Sequence, residues 1–258
     1  MKTVLEIDVG NTRLKWRRLA PSGTVSARGA LSVGPGADGS DGVEAIAADG
    51  VHEARIGSVA GTQADRALES TLRKAGIENI RFARAGSRCG RLRAGYRQPE
   101  RMGVDRWLAL AAATHRLVGP LLVVDAGSAL TLDLVDADGQ HRGGWILPGL
   151  RMMRAALLSG TAGVRFDLPT DGAPGPGRDT AEAVTAGTLL MAQDFVAARW
   201  ASFLAEAPAA TLFLTGGDGA LLDAGLPGRV LMVPDLVLDG LAPVLAETGF
   251  AETGESGA

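Results

Sequence analysis

The sequence is poor in cysteine and histidine, and this restricts the kinds of site that it can build. Cys89 is the only cysteine among 258 residues, so no disulfide can form within the chain and a cysteine-based zinc cluster is excluded. The three histidines, His52, His115 and His141, do not have the spacing of a metal site. Each is interpreted as a surface or structural histidine.

The chain also lacks a long apolar run and an excess of positive charge. No apolar stretch approaches the roughly 20 residues that a membrane span requires. Lys2 is followed closely by Glu6 and Asp8, which is not the pattern of a signal peptide. The net charge is −3, so nothing indicates binding to nucleic acid or to an anionic membrane. We therefore expect a cytoplasmic protein with neither nucleic-acid nor membrane partners.

What the sequence does contain is enough apolar residues for a substantial core. Hydrophobic residues make up 46% and charged residues 21% of the chain, which is the balance of a globular protein. Its length allows one large domain or two of medium size. Strand and helix signals follow each other in a βββαβα-like order, which predicts an α/β fold rather than a simple Rossmann alternation.

The first candidate site is the segment Val4–Trp16. An apolar strand ends at Asp8, the turn Gly10–Thr12 follows, and a second alternating run begins, which predicts a β-hairpin. Gly10 and Asn11 tolerate the positive φ that such a turn can need. The N–H groups of a turn can bind an anion, and Asp8 can hold a cation directly or through water. The same pattern also fits an ordinary N-terminal hairpin.

A second segment, Leu121–Asp133, repeats this pattern. An apolar strand again ends on Asp-x-Gly, here Asp125 to Gly127, and Ser128 and another strand follow. Similar units in both halves predict two related lobes that face each other across a cleft. A phosphate-binding turn on each lobe would grip one nucleotide from both sides.

The segment between the two turns carries charged residues with two possible roles. Five arginines lie in Gly86–Met102, and they either steer an anionic substrate or are solvated loop charge. Asp105 lies near the start of a helix predicted to reach about His115. It either complements the helix dipole, worth a few tenths to about 1 kcal/mol, or acts as a general base. Arg106 suits a carboxylate or phosphate group.

Local signals place further elements along the chain. A helix is predicted from Thr62, as its cap, to about Lys74, and Gly76 ends it. Gly and Asp density predicts a surface loop over Val33–Gly42. Thr180 fits the N-cap of a long helix. Thr215–Gly217 fits either a tight strand-to-helix turn or a corner that passes under an adenine or ribose.

Five blocks in order jointly resemble the type III pantothenate kinases, the family that includes Bvg accessory factor-like proteins. Any one block is weak, because Asp-x-Gly occurs in many phosphotransferases, but their order is specific. The blocks are Asp8–Thr12; Tyr96–Pro99 with Gly103–Arg106; Asp125–Ser128 with Thr131; Gly143–Gly144 through Pro148–Gly149; and Thr215–Gly217.

The resemblance implies an actin-like α/β fold of duplicated ribonuclease-H-like lobes, as in acetate kinase, sugar kinases and heat-shock chaperones. The lobes would be residues 1–118 and 119–250, with 251–258 as a disordered tail. The implied reaction is ATP-dependent phosphorylation of pantothenate at its primary hydroxyl, the first step towards coenzyme A. The family further implies a homodimer that needs Mg²⁺ and a monovalent cation, K⁺ or NH₄⁺.

The resemblance also implies roles for single residues. Asp125 would bind the monovalent cation, and Asp105 would be the catalytic base. The ATP phosphates would be bound by Asp8, Val9, Gly10, Asn11, Thr12, Arg13, Leu14 and Lys15, with Ser128 from the second lobe, where the family usually has Thr. Pantothenate would be bound by Tyr96, Gly103, Val104, Asp105, Arg106 and Thr180.

Two other functions remain open at the level of sequence. One is a non-catalytic relative that binds a nucleotide or a partner for regulation, and the other is an actin-fold kinase for a sugar or for acetate. The presence of Asp8, Asp105, Arg106 and Asp125 favours a kinase, because a pure binding protein needs no base.

Overall fold

The structure, a computed structural model, describes residues 2–33, 40–47, 50–161, 175–223 and 225–251. The chain forms two compact units. The first unit comprises Met1–Leu117 and Leu236–Ala258, and the second comprises Val118–Asp235. None of the helices in the described ranges combines the length and the apolar character that crossing a membrane requires.

The described residues form strands and helices in an alternating order. The strands are β1 (Thr3–Val9), β2 (Arg13–Leu19), β3 (Val25–Ser32), β4 (Val51–Ser58), β5 (Asn79–Phe82), β6 (Arg88–Cys89), β7 (Leu92–Arg93), β8 (Leu121–Ala126), β9 (Ala129–Val135), β10 (His141–Pro148), β11 (Thr211–Thr215) and β12 (Arg229–Met232). The α-helices are α1 (Ser40–Ala47), α2 (Thr62–Lys74), α3 (Val104–Arg116), α4 (Leu150–Gly160), α5 (Thr180–Glu206), α6 (Gly219–Leu222), α7 (Leu236–Asp239) and α8 (Leu241–Ala251), and a short 3₁₀ helix spans Pro99–Arg101.

Each unit is built on a five-stranded sheet, and the two sheets have the same topology. The strand order is β3-β2-β1-β4-β5 in the first unit and β10-β9-β8-β11-β12 in the second. In both, the first three strands of the unit form an antiparallel meander, the fourth strand pairs parallel to the first, and the fifth pairs parallel to the fourth. The duplication predicted from the two Asp-x-Gly segments is therefore present in the strand connectivity.

The first sheet is covered on both faces, and most residues of its central strand β1 are buried. Leu5 and Ile7 are fully buried against the apolar faces of α1 and α2. The opposite face, which carries Glu6 and Asp8, packs against α3, α7 and α8. In the second unit Trp200 of α5 is fully buried in a cluster with the apolar side chains of β8, β9 and β11.

Helix α2 spans the residues that the sequence predicts, but its cap differs. Gly61 occupies the N-cap position and Thr62 is the first helical residue, so the prediction that Thr62 caps the helix is wrong. Leu68 and Leu72 are buried as predicted. Gly76 follows the helix end with a φ of 88°, a value that favours glycine.

The loop predicted over Val33–Gly42 ends earlier than expected. Residues 34–39 lie outside the described residues, and Ser40 already begins α1. Val43, Ile46 and Ala47 have helical spacing and are buried in the first unit's core. This apolar stripe outweighs the local preference of Gly and Asp for a loop.

The predicted division into residues 1–118 and 119–250 is wrong at the C-terminal end. Leu236–Ala258 is assigned to the first unit. Leu236, Leu238, Leu241 and Leu245 are all buried, so the apolar residues of α7 and α8 cover the first sheet. Ala251 ends α8, and residues 252–258 of the predicted tail lie outside the described residues.

Candidate active site

The β1–β2 turn is built by backbone contacts, and it leaves polar groups at its tip. The Gly10 N–H donates to the carbonyl of Arg13 at 2.9 Å, and the Val33 N–H donates to the carbonyl of Thr12 at 3.1 Å. Gly10 does not have a positive φ; a Cβ there would lie 3.1 Å from the Arg13 oxygen. Gly10 therefore does not use the positive φ that glycine tolerates, and its lack of a side chain provides clearance instead.

The residues of this turn differ in what they can offer a ligand. Asn11, Thr12 and Arg13 are exposed. Val9 and Leu14 are 7% and 2% exposed and belong to the core, so only their backbone groups can contact a phosphate. In the same hairpin Asp8 pairs in register with Lys15, and on its other side with Gly57 of β4.

The second group of predicted residues lies at the start of α3. Gly103 is the N-cap, and Asp105 Oδ1 accepts a hydrogen bond from the Arg106 N–H at 2.8 Å. A Cβ on Gly103 would lie 2.6 Å from that carboxylate oxygen. The Asp105 carboxylate thus bends back over the first helical turn, where it also interacts favourably with the helix dipole.

Arg106 and Tyr96 form one unit beside Asp105. Arg106 is 5% exposed and donates to the Tyr96 hydroxyl at 2.5 Å. Its guanidinium carbon lies 5.4 Å from the centre of the Tyr96 ring, a cation–π distance. Val104 is buried at 7% and packs inwards. The structure therefore brings Tyr96, Gly103, Asp105 and Arg106 together, as the sequence predicts.

Helix α3 is held directly over the strand next to Asp8. A Cβ on Gly57, the register partner of Asp8, would lie 2.5 Å from Leu108 Cδ1. Leu108 follows Asp105 by three residues, which is about 4.5 Å along a helix axis. The Asp105 turn of α3 therefore lies within a short distance of the strand end that carries Asp8.

The opposite end of α3 fixes the direction of the helix. Arg116, its last residue, binds Asp239 of α7, and Asp239 also binds Arg17 of β2. Arg17 lies two residues beyond Lys15, away from the turn. Since the C-terminus of α3 points away from the turn, its N-terminus points towards it. Asp105 and the Asp8 turn thus lie at the same edge of the first sheet.

The turn of the second unit is surrounded by glycines from two other blocks. Asp125 pairs in register with Thr131 and Thr215. The Gly149 N–H donates to the Ser128 carbonyl at 3.1 Å, and a Cβ on Gly149 would overlap the Gly127 carbonyl. The sequence blocks around residues 125, 131, 149 and 215 therefore meet in one site.

Gly216 approaches this turn most closely. It has a φ of 89°, and a Cβ there would overlap the Ala126 carbonyl and lie 2.5 Å from Asp125 Oδ1. The Asp218 N–H donates to the same Ala126 carbonyl at 3.0 Å. These contacts explain why residue 216 is a glycine, and they support the interpretation of Thr215–Gly217 as a tight strand-to-helix turn.

Thr180 does not cap α5. Asp179 is the N-cap, and its Oδ1 accepts from the Glu182 N–H at 2.8 Å. Glu182 Oε2 in turn accepts from the Arg178 N–H at 2.8 Å, so this carboxylate binds the N–H one residue before the N-cap. Thr180 is exposed at the first helical position. Its role in binding pantothenate stays a prediction, as does the cleft expected between the two turns.

Several arginines of Gly86–Met102 bind the chain itself. Arg88 donates to the Gly90 carbonyl at 2.9 Å, and Arg101 donates to Gln98 Oε1 at 3.2 Å. These arginines therefore bind their own loop, and the choice between steering of an anionic substrate and solvated loop charge stays open.

The histidine and cysteine side chains give no sign of a metal centre. His141 is 1% exposed and its Nε2 lies 2.8 Å from Asp133 Oδ1, which agrees with a structural role. Among the described residues no group of three or more His, Cys, Asp or Glu side chains is arranged to hold a metal ion.

Sequence reasoning missed the buried acid Glu6. It is 1% exposed and binds Arg17 at 2.6 Å. Burial raises the pKa of the Glu6 carboxyl above its usual value, although Arg17 lowers it in part. The signal was available, because Glu6 stands between Leu5 and Ile7 in an apolar strand and a buried acid requires a partner.

The fold places the chain in a structural class whose solved members include kinases and other proteins. Similar solved structures include a Baf family transcriptional activator from Campylobacter jejuni, with 19% identity, a TM-score of 0.57 and coverage of 95% of this chain and 99% of that one. A ROK family glucokinase from Streptomyces griseus has 13% identity, a TM-score of 0.50 and coverage of 96% and 100%. Acetate kinase from Porphyromonas gingivalis has 11% identity, a TM-score of 0.50 and coverage of 95% and 99%. At these identities the likeness shows the fold alone, and the predicted actin-like fold is confirmed.

The sequence identifies the family within this class. A sequence model of the type III pantothenate kinases matches residues 4–202. Type III pantothenate kinase of Ectopseudomonas mendocina is 41% identical over 248 residues, covering 93% of this chain and 97% of the relative. That of Azoarcus sp. is 42% identical over 248 residues, covering 94% and 90%. The chain therefore belongs to the type III pantothenate kinase family, and it is a kinase.

Proposed function

We propose that this protein transfers the γ-phosphoryl group of ATP to the primary hydroxyl of pantothenate, giving 4'-phosphopantothenate, the first step of coenzyme A synthesis. Membership of the family over nearly the whole chain carries this proposal. The arrangement of the first unit supports it, because the Asp8 turn and Asp105 lie at one edge of the same sheet.

The β1–β2 turn binds the phosphates of ATP. Phosphoryl transfer depends on positioning and on charge stabilisation more than on covalent chemistry. The backbone N–H groups of the exposed residues Asn11, Thr12 and Arg13 contact phosphate oxygens, and Lys15 adds positive charge. Mg²⁺ usually keeps several waters and is held by one or two carboxylates with the substrate phosphates, a role that suits Asp8. Ser128 contributes its hydroxyl as a further donor.

Asp105 acts as the general base. Its carboxylate accepts the proton of the pantothenate hydroxyl while the phosphoryl group moves. Tyr96, Gly103, Val104 and Arg106, which lie around it, bind the substrate, and Thr180 joins them. The planar guanidinium of Arg106 suits the pantothenate carboxylate.

Asp125 holds the monovalent cation. Its Oδ1 and the Ala126 carbonyl oxygen both lie within 2.5 Å of the position that a Cβ on Gly216 would occupy, so two oxygens of suitable chemistry lie close together. K⁺ or NH₄⁺ bound there offsets the negative charge of the nucleotide.

The protein forms a homodimer through exposed apolar side chains of the second unit. Trp145 is 36% and Met191 54% exposed. Trp145 packs edge-on against Phe195, with ring centres 6.1 Å apart, and Arg199 stacks on both rings. Trp, Met and Arg are enriched in protein interfaces.

The dimer is tested by replacing these apolar residues with charge. The double variant Trp145→Glu with Met191→Glu should sediment as a monomer, because it places two carboxylates in the buried contact. Val25→Glu, a change at a 37% exposed residue of the first unit, serves as the control and should leave the dimer intact. An unchanged mass of the double variant would reject this surface.

The catalytic proposal is tested by ADP release with pantothenate as the acceptor, with and without K⁺. Acetate and glucose at the same ATP concentration test the other actin-fold kinases. We expect turnover with pantothenate but not with acetate or glucose, and we expect K⁺ to increase it. Nucleotide binding without turnover on any acceptor would favour the non-catalytic relative.

The variant Asp105→Asn tests the role of Asp105 as the base while the other groups of the site are kept. The amide oxygen can still accept the Arg106 N–H, so the helix start is retained while the basic group is lost. We expect kcat to fall about 10²- to 10⁴-fold, with ATP affinity unchanged by calorimetry. Asp138→Asn, at an exposed turn position, is the matched control. Near-normal turnover of Asp105→Asn would remove it from the base role.

A further inference from the structure

A row of charged side chains crosses the first sheet at the level of Glu6, two residues before Asp8 on β1. In register order from β3 to β5 it consists of Arg28, Arg17, Glu6, Arg55 and Arg81. Because side chains alternate along a strand, this row shares its face with Asp8 and Lys15. Arg17 Nε donates to Glu6 Oε2 at 2.6 Å, and Glu6 is 1% exposed.

The row contains more positive than negative charge, and two of its arginines donate hydrogen bonds to acceptors outside the sheet. Arg17 stands opposite Arg28, and like charges in such a pair destabilise a sheet. Arg17 NH1 donates to Asp239 Oδ1 of α7 at 2.6 Å, and Arg81 donates to the Leu245 carbonyl of α8 at 2.5 Å. The C-terminal helices thus supply one carboxylate and one backbone carbonyl as acceptors for arginines of the N-terminal sheet.

Asp239 uses its two oxygens to bind two different elements. Oδ1 accepts from Arg17 of β2 at 2.6 Å, and Oδ2 accepts from Arg116 of α3 at 2.5 Å. Arg17 lies two residues from Lys15 on a paired strand, and Arg116 ends the helix that begins beside Asp105. One carboxylate therefore connects the phosphate hairpin with the helix that carries the base.

Close packing next to Asp239 makes this connection stiff. A Cβ on Gly240 would overlap the backbone carbonyl of Leu108. On the other side, the Leu108 side chain lies over Gly57, the register partner of Asp8. Helix α3 is thus held at its middle by packing and at its end by the ion pair.

We propose that Asp239 is a positioning residue for phosphoryl transfer, because by binding Arg17 and Arg116 together it fixes the phosphate turn relative to the first turn of α3 and Asp105. This inference rests on the proposed function. It gives α7, which follows the second unit in sequence but packs in the first unit, a role in positioning the residues of the first unit's site.

A purely stabilising role explains these contacts less well. The desolvation of buried ions offsets much of their attraction. The Arg116 side chain is 47% exposed, and exposed ion pairs contribute little to stability. Removal of Arg116 should therefore leave the melting temperature nearly unchanged while it releases the end of α3.

The test compares Arg116→Gln and Arg116→Lys in the full chain with a matched control. The control is Arg73→Gln, which removes a 55% exposed arginine paired with Glu69 at 2.7 Å in α2. Hydrogen–deuterium exchange is followed at residues 10–13 and 103–107. We expect faster exchange at both segments in Arg116→Gln, restoration in Arg116→Lys, and no change in the control. Unchanged exchange in Arg116→Gln would overturn the proposal.

Turnover gives a second, independent result. Misplaced reactants lose rate rather than binding, so kcat of Arg116→Gln should fall about tenfold while KM for ATP stays within about twofold. A fall in melting temperature that parallels kcat, without restoration by Arg116→Lys, would show a structural role and overturn the proposal. Absence of turnover in the unaltered chain would instead reject the proposed function, whereas the exchange result needs no turnover.

Discussion

At the scale of single residues, the second unit's site depends on two glycines, because a residue with a Cβ atom would not fit at either position. Gly149 and Gly216 allow backbone segments from distant blocks to approach the Asp125 turn, and a Cβ at either would overlap a carbonyl group. Such positions cannot relax by rotating a side chain, because the obstacle is backbone. We therefore expect substitutions at these glycines to alter the site even when they are small.

Gly216→Ala should destabilise the protein more than a glycine substitution in open space. Gly23 has a similar φ of 85° but has nothing within 4 Å of its Cβ position, so Gly23→Ala costs only the left-handed strain of about 1–2 kcal/mol. Overlap should add about 1–3 kcal/mol for Gly216→Ala. Urea unfolding of both variants measures the difference, and equal losses would contradict the overlap.

Cys89 should be unreactive in the folded protein. Burial, followed by the charge of Glu247, raises the pKa of the thiol from 9.0 to about 11. Because the folded state retains the proton, this stabilising contribution is present below pH 9 and is lost as the pH rises towards 11.

Since the thiolate is the reactive form, alkylation of Cys89 at pH 8 should be about 100-fold slower in the folded than in the unfolded chain. Mass spectrometry after iodoacetamide treatment, with and without urea, measures the two rates. Similar rates in both states would contradict the burial of this thiol.

At the scale of elements, the start of α5 has a structural residue directly beside a candidate binding residue. Asp179 caps the helix, whereas Thr180 beside it occupies the first helical position. These adjacent residues therefore make a matched pair, because one change should act on stability and the other on substrate affinity.

Asp179→Ala should lower the free energy of unfolding by about 1 kcal/mol. Thr180→Ala should change it by no more than about 0.5 kcal/mol but should raise KM for pantothenate. Thermal melts and steady-state kinetics distinguish the two effects. A Thr180→Ala enzyme with unchanged KM would exclude Thr180 from the substrate site.

At the scale of the whole molecule, the C-terminal helices belong to the unit that begins the chain. Leu241 is fully buried, and its side chain lies 3.7 Å from the Cβ position of Gly57 on β4. The first unit is therefore discontinuous in sequence, and changes in α8 should affect the sheet that carries Asp8.

Leu241→Ala should cost about 2–5 kcal/mol, because it leaves a cavity in the core. Hydrogen exchange should accelerate in β1, β4 and α3, and stay unchanged in β8 and β11. Leu221→Ala, at a 46% exposed residue of the second unit, is the control and should be close to neutral. Acceleration in β8 instead would place α8 with the second unit.

The sequence by itself determined the two strand–turn segments, the boundaries of α2 and the start of α5. These features follow from short-range patterns, namely alternation along a strand, helical spacing and turn residues, which act within a few residues. The order of the five blocks then identified the family before any contact was known.

Only the tertiary structure decided where α7 and α8 pack, which glycines provide clearance, and which partners neutralise Glu6 and Arg17. Arg17 and Asp239 are separated by 222 positions, and no local pattern connects them. Their pairing arises because a buried charge must find a partner wherever the packed chain supplies one.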